Sequence, residues 1–275
     1  MKQLIYSGIL FGLLFCLSAC EKLADLEIED LPAGVTESVK TLTSQYGSIQ
    51  SASLMVQQVM LAYVPAGGTN SSLPSCLIVT PDPGNKTVKL DFGSGCTMNG
   101  FVFKGSCIIS YTGNFGQSGS TVSALFSNLG VNEVTLNGKI EFKDFIKNGT
   151  QIEYRLVTTS LSILQGAKTY VFNIDLKQNW KSGYNTTTTS DNEISTEVSG
   201  SYKDGSGATY VLATTKALLT FGSCVALSYP VPLEGILEMV PNSGPKITLD
   251  FGTGNCDSLV KVTTAGKSKE VDLSK

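Results

Sequence analysis

From residue 76 to the end, apolar and polar residues alternate with a period of two, and this pattern constrains the fold more than any other feature. Val88, Leu90 and Phe92 alternate with Thr87, Lys89 and Asp91, and Phe101, Phe103, Cys107, Ile109 and Tyr111 share one face of the next run. Asn137-Gly138, Asn148-Gly149 and Asp204-Gly205 punctuate later runs such as Glu153 to Thr158, Thr169 to Leu176 and Ala208 to Thr214. Short half-buried strands joined by tight turns predict an all-β antiparallel meander of about fifteen strands, with no helical crossovers. A sandwich, a barrel and a curved open sheet all satisfy this periodicity.

One helical segment is expected before the strands, over residues 36–64, capped by Thr36 with Glu37 in its first turn. Val39, Leu42, Tyr46, Ile49, Ser53, Val56, Met60 and Tyr63 recur at steps of three and four, on one stripe. Gly47 allows a break into two helices. No residue from Thr41 to Pro81 is charged, and Leu54 to Val64 is apolar almost all round. Such a helix is buried. It packs on the sheet as a core element, lies as a plug in a curved sheet, or touches lipid.

The chain opens with Lys2, an apolar run from Leu4 to Phe15, and Leu17-Ser18-Ala19-Cys20. The run is too short to span a bilayer comfortably, and small residues follow it, as in a cleavable signal. Apolar, small, small, Cys is the order of a lipobox, so residues 1–19 read as a lipoprotein signal peptide and Cys20 as the lipidated N-terminus. Two or three acyl chains there would hold the protein at a membrane. Cleavage removes 19 of the 275 residues and leaves 256, and loss of Lys2 moves the formal net charge from −3 to −4. Residues 20–35 form an acidic tether, with Glu21, Asp25, Glu27, Glu29 and Asp30 against Lys22.

Composition narrows the chemistry. The chain has no histidine, which removes Ser-His-Asp and Cys-His mechanisms and His-ligated zinc. Its single arginine, Arg155, and its mild acidity argue against nucleic acid. Nothing calls for a cofactor or a metal.

Two segments of the β domain (residues 76–275) echo each other. Lys86-Thr87-Val88-Lys89-Leu90-Asp91-Phe92-Gly93-Ser94-Gly95-Cys96 matches Lys246-Ile247-Thr248-Leu249-Asp250-Phe251-Gly252-Thr253-Gly254-Asn255-Cys256. Each closes a hairpin unit, at residues 76–96 and 236–256. Antiparallel geometry brings Cys96 and Cys256 to the end where each hairpin is entered, near Cys76 and Cys224. The expected disulfides are Cys76–Cys96 and Cys224–Cys256, with Cys107 a buried thiol. By parity Phe92 and Phe251 point inward, which leaves Asp91 and Asp250 outward or capping the glycine turns. They make neither a kinase Asp-Phe-Gly nor a calcium site, since the accompanying loops and acids are missing.

The Leu-Asp-Phe-Gly-x-Gly-Cys motif, Trp180-Lys181-Ser182-Gly183-Tyr184-Asn185-Thr186 and the closing Leu249 to Asp257 resemble a group of uncharacterised lipoproteins from Bacteroidota, over residues 76 to 265. The resemblance brings no activity with it. It implies a diderm envelope and attachment to the outer membrane. Glu21-Lys22-Leu23-Ala24-Asp25 is a loose version of the acidic cluster that accompanies surface export in that phylum, so the periplasmic and external leaflets both stay open.

Two constellations suggest chemistry. Trp180, Tyr184 and Asn185, read as lying on a polar loop, would stack on a sugar ring and bond its edges, or else pack the hairpin on its own sheet. Glu193 with Glu197, and Lys139, Glu141 and Lys143, read as solvated strand faces. No pair of carboxylates has the spacing of a glycan hydrolase. The expected function is therefore a non-catalytic, lipid-anchored envelope protein whose β scaffold binds a glycan, a protein or a lipid. The alternative is a carboxylate-dependent, histidine-independent glycan hydrolase.

Overall fold

A computed structural model of the chain describes residues 30–63, 73–184, 186, 190–225 and 232–274. Helix α1 (Val35–Tyr63) precedes thirteen antiparallel strands: β1 (Ile78–Asp82), β2 (Thr87–Met98), β3 (Phe101–Tyr111), β4 (Val122–Val131), β5 (Val134–Asn148), β6 (Gln151–Gln165), β7 (Lys168–Ser182), β8 (Glu193–Lys203), β9 (Thr209–Phe221), β10 (Glu234–Pro241), β11 (Ile247–Thr253), β12 (Leu259–Thr264) and β13 (Lys267–Asp272). One helical turn, α2 (Gly222–Val225), follows β9. Each strand pairs with its neighbours in sequence, in one open sheet with β1 and β13 at its edges. The curved open sheet is thus the member of the three alternatives that forms.

Thirteen strands form where about fifteen were expected, and one of the turn signals is not a turn. Asn148-Gly149 and Asp204-Gly205 do turn, between β5 and β6 and between β8 and β9. Asn137-Gly138 instead lies inside β5, where Gly138 has φ +122° and the pairing with β6 slips. It belongs to a row of bulges. Gly93 sits opposite Gly105, the register slips again at Asn128 in β4, and Asn137 Oδ1 accepts the Asn128 N–H at 2.8 Å. In β6 Ser160 takes φ +52° and its N–H donates to Asn173 Oδ1 at 2.6 Å. Gly200 in β8 continues the row opposite Ile174, with φ +134°. Each bulge adds bend and twist to its strand, and aligned across neighbouring strands they crease the whole sheet. The short polar side chains of Asn137 and Asn173 satisfy the backbone donors that the slips would orphan.

The crease gives the sheet a concave face, and α1 lies in it. The helix side chains reach from Asn99, in the β2–β3 turn, to Gln165 at the end of β6 and to Phe251 in β11. Every residue of the expected stripe from Val39 to Met60 is buried, and so are Gln45, Ser51, Ala52, Met55, Gln57 and Val59 on other faces. Between Val35 and Ala62 only Glu37 and Ser44 are fully exposed. The helix does not break at Gly47. Its start differs from expectation: Ser38 N–H donates to the Gly34 carbonyl at 2.9 Å, so Gly34 is the cap and Thr36 is already inside the first turn. The turn that closes from Val35 N–H to the Pro32 carbonyl leads the chain straight into the helix.

Both expected disulfides form, with Cα–Cα separations of 5.5 Å for Cys76–Cys96 and 5.4 Å for Cys224–Cys256. Cys107 is a free, buried thiol, and burial pushes its pKa up to about 12. In both echoed segments the Phe ring is buried and the preceding Asp accepts the N–H of the following Gly at 2.9 Å.

Candidate functional site

The convex face of the sheet is a solvated lattice of charge. Lys139 and Glu141 meet at 2.8 Å, Lys143 reaches Glu141 at 3.6 Å, and Lys181 reaches Glu193 at 3.2 Å. Glu197 stands opposite Lys177 in the ladder, with the charges 4.0 Å apart. Arg155 bridges Asp144 and Asp175 across β5, β6 and β7, and the two carboxylates hold its guanidinium above its ordinary pKa. The Lys139 ammonium, through its hydrogen bond, holds the Glu141 carboxyl below the usual range. These acids are partly or largely exposed on the strand faces. Among the described residues, no three His, Cys, Asp or Glu side chains gather into a group that could hold a metal ion.

The aromatic pair sits elsewhere than the sequence suggested. Trp180 is inside β7, on the same inward parity as Phe172, Leu176 and Gln178, and only 3% of it is exposed. Tyr184 packs against it edge-on at 6.1 Å, and Lys147 lies 5.5 Å from the centre of the Tyr184 ring. Period-two pairing explains the burial: Trp180 stands opposite Ile152 and Ile194, both buried. Neither ring offers a free face to a sugar, so the pair packs its own hairpin, the second of the two readings. Asn185 and Cys20 lie outside the described residues.

The other face is where unusual chemistry collects, and there the sheet meets α1. Phe142, Leu156, Phe172 and Leu176 on the sheet form one core with Ile49, Met55, Val56 and Met60 on the helix. Through this apolar contact runs a seam of buried amides and phenols. Gln45 Nε2 donates to Gln165 Oε1 at 2.7 Å, and Gln57 Nε2 donates to the Tyr154 hydroxyl at 2.9 Å. Gln50 Nε2 donates to the Tyr46 hydroxyl at 2.6 Å, and Gln178 Nε2 to Thr196 Oγ1 at 3.2 Å. Gln58 and Asn99 exchange two amide bonds, at 3.1 and 2.8 Å. Burial pushes the Tyr46 and Tyr154 phenols above their ordinary range, so both stay protonated.

The seam is incompletely satisfied. Gln45 Oε1, Gln57 Oε1 and Gln178 Oε1 are buried and find no hydrogen-bond partner among the described residues. Beside it, a cavity of about 10 Å³ lies between Leu42 and Tyr46 of α1 and Val198, Leu212, Leu237 and Phe251 of the sheet. That is room for about one water molecule, against an apolar wall that offers it no bond. The glutamines were visible in the sequence as the only amides of the helix, all in its uncharged part after Lys40. Their partners Tyr154 and Gln178 had no local signal, because they look like any inward residue of a strand. No helix among the described residues is long and apolar enough to cross a membrane. Compared with known proteins, the chain matches no family model, no curated protein and no solved structure.

Proposed function

We propose that this chain is a non-catalytic, lipid-anchored protein of a diderm cell envelope, attached to the outer membrane through Cys20, and that its β scaffold binds a lipid. The observation that carries the lipid reading is α1 itself: a segment with no charge from Thr41 onward, buried along nearly its whole length in one core with the concave face of the sheet. A surface that accepts such a helix is shaped and apolar enough to accept hydrocarbon. The glycan reading loses its stacking platform with the burial of Trp180 and Tyr184. Against the hydrolase reading, the acids described above are engaged with lysines and Arg155 on the convex face.

Two measurements test the proposal. Cells fed labelled palmitate should incorporate it into the parent, and Cys20→Ala should abolish that incorporation. Purified full-length protein should bind 16-doxyl-stearate saturably, read as immobilisation of the nitroxide. Absence of label in the parent removes the anchor, and absence of saturable binding removes the lipid reading.

A further inference from the structure

The sheet and the helix are held by different forces. Every strand from β1 to β13 is joined to the next by a backbone ladder, and two disulfides close its outer hairpins. Helix α1 shares no part of this. The hydrogen bonds that join it to the sheet through Gln45, Gln50, Gln57 and Gln58 run from side chain to side chain. Several of its hydroxyls turn back on the helix: Thr43, Ser48 and Ser51 each donate to the carbonyl four residues earlier, at 2.8, 3.1 and 2.7 Å. In the seam that remains, the amide oxygens of Gln45, Gln57 and Gln178 are buried and have no hydrogen-bond partner among the described residues. Water would satisfy them once the helix lifted, which lowers the cost of undocking. What opposes undocking is the apolar contact, and an acyl chain can restore that contact.

We propose that the concave face of the sheet takes an acyl chain in exchange for α1, the helix filling the face when no chain is bound. This inference rests on the lipid-binding reading above and adds a mechanism to it. With the helix docked, the cavity of about 10 Å³ beside Leu42 and Tyr46 is far too small for a lipid tail, so a chain can lie on this face only if α1 moves. Helix and chain then compete for one surface. Whatever strengthens α1 docking must weaken the chain by the same factor, because a ligand shifts an equilibrium only by its difference in affinity for the two states.

The test uses the full chain and 16-doxyl-stearate. A short bis-maleimide joining cysteines placed by Gln58→Cys and Asn99→Cys ties the end of α1 to the β2–β3 turn, where the two amides already touch. Binding should fall at least tenfold relative to the same variant with both thiols singly capped. A second variant, Gln45→Met, makes the helix side of the seam more apolar and leaves the sheet face unchanged. It should melt at a higher temperature and bind the probe more weakly, by up to about fivefold. Saturable binding in the parent that neither the staple nor Gln45→Met weakens overturns the exchange and leaves lipid binding standing. Absence of binding in the parent overturns both.

Discussion

The crease in the sheet and the seam beneath α1 lie in the same molecule and follow opposite rules. Along the crease, side chains take three of the displaced backbone donors: Asn137 serves Asn128, Asn173 serves Ser160, and the Thr214 hydroxyl takes the Val198 N–H at 3.0 Å. Along the seam, three buried side-chain acceptors have no partner among the described residues. Buried polar groups are normally satisfied, so a fully bonded irregularity marks geometry the fold requires. An unbonded one marks a contact that is tolerated. The crease is specified in detail and the seam beneath the helix is left weaker, although the sheet also carries unpaired buried atoms among the described residues, Trp180 Nε1, Tyr202 Oη and Thr264 Oγ1.

This contrast can be broken first at the crease. At Gly200, φ is +134° and an added Cβ would run into the Asn173 carbonyl. Gly200→Ala should therefore destabilise the protein by about 2–5 kcal/mol in chemical denaturation, from backbone strain together with overpacking. A loss below about 1 kcal/mol would mean that the crease is not a fixed feature. Next come the disulfides. Cys76→Ser/Cys96→Ser opens a loop with a sequence separation of 20, and Cys224→Ser/Cys256→Ser one of 32. Loop-closure entropy predicts losses of about 3–4 kcal/mol for each, nearly equal because the dependence on length is logarithmic.

The seam should behave differently. Gln45→Met removes an unpaired buried oxygen and frees Gln165, which is half-buried and can turn to water. Stability should change by no more than about 1 kcal/mol, and toward greater stability. A loss of several kcal/mol would show that the seam is as tightly specified as the crease. The smallest effect belongs to the convex face. Arg155→Ala removes the pairing with Asp144 and Asp175, and since all three side chains are substantially exposed the loss should stay below about 1 kcal/mol and shrink in salt.

Acid should also act on the sheet's turns. The burial of Asp204 would raise its pKa, but hydrogen bonds from Ser206, Ala208 and Tyr210 outweigh that and hold it below the ordinary carboxylate range. Its stabilising contribution is present above the unfolded-state value of about 4 and is lost as pH falls through the lower folded value. Asp204→Asn should flatten that part of the acid-unfolding curve.

The strands, the N-terminal helix and both disulfides were legible because each rests on a local signal, whereas the turn α2 had none. Alternation names the strands, steps of three and four name the helix, and the echoed Leu-Asp-Phe-Gly sets the cysteines in register. The crease was not legible. Asn137-Gly138 has the composition of a hairpin turn, and only the pairing of β5 with β4 and β6 decides that it is a bulge. Trp180 was misplaced for a related reason, since the polar residues around it look like a loop until β7 is known to run on to Ser182. The seam depends on which strand residues face which helix residues, over separations of 97 in Gln57–Tyr154 and 120 in Gln45–Gln165. No short-range pattern carries that information.

The central claim, that α1 is exchangeable while the sheet is not, is tested most directly by native-state hydrogen exchange with and without a saturating fatty acid. Backbone amides of residues 39–62 should open at a lower free energy than those of β5, β6 and β7, and added stearate should deprotect the helix alone. If helix and sheet exchange together, only through global unfolding, and stearate leaves the helix protected, α1 is a fixed part of the core and the account is wrong.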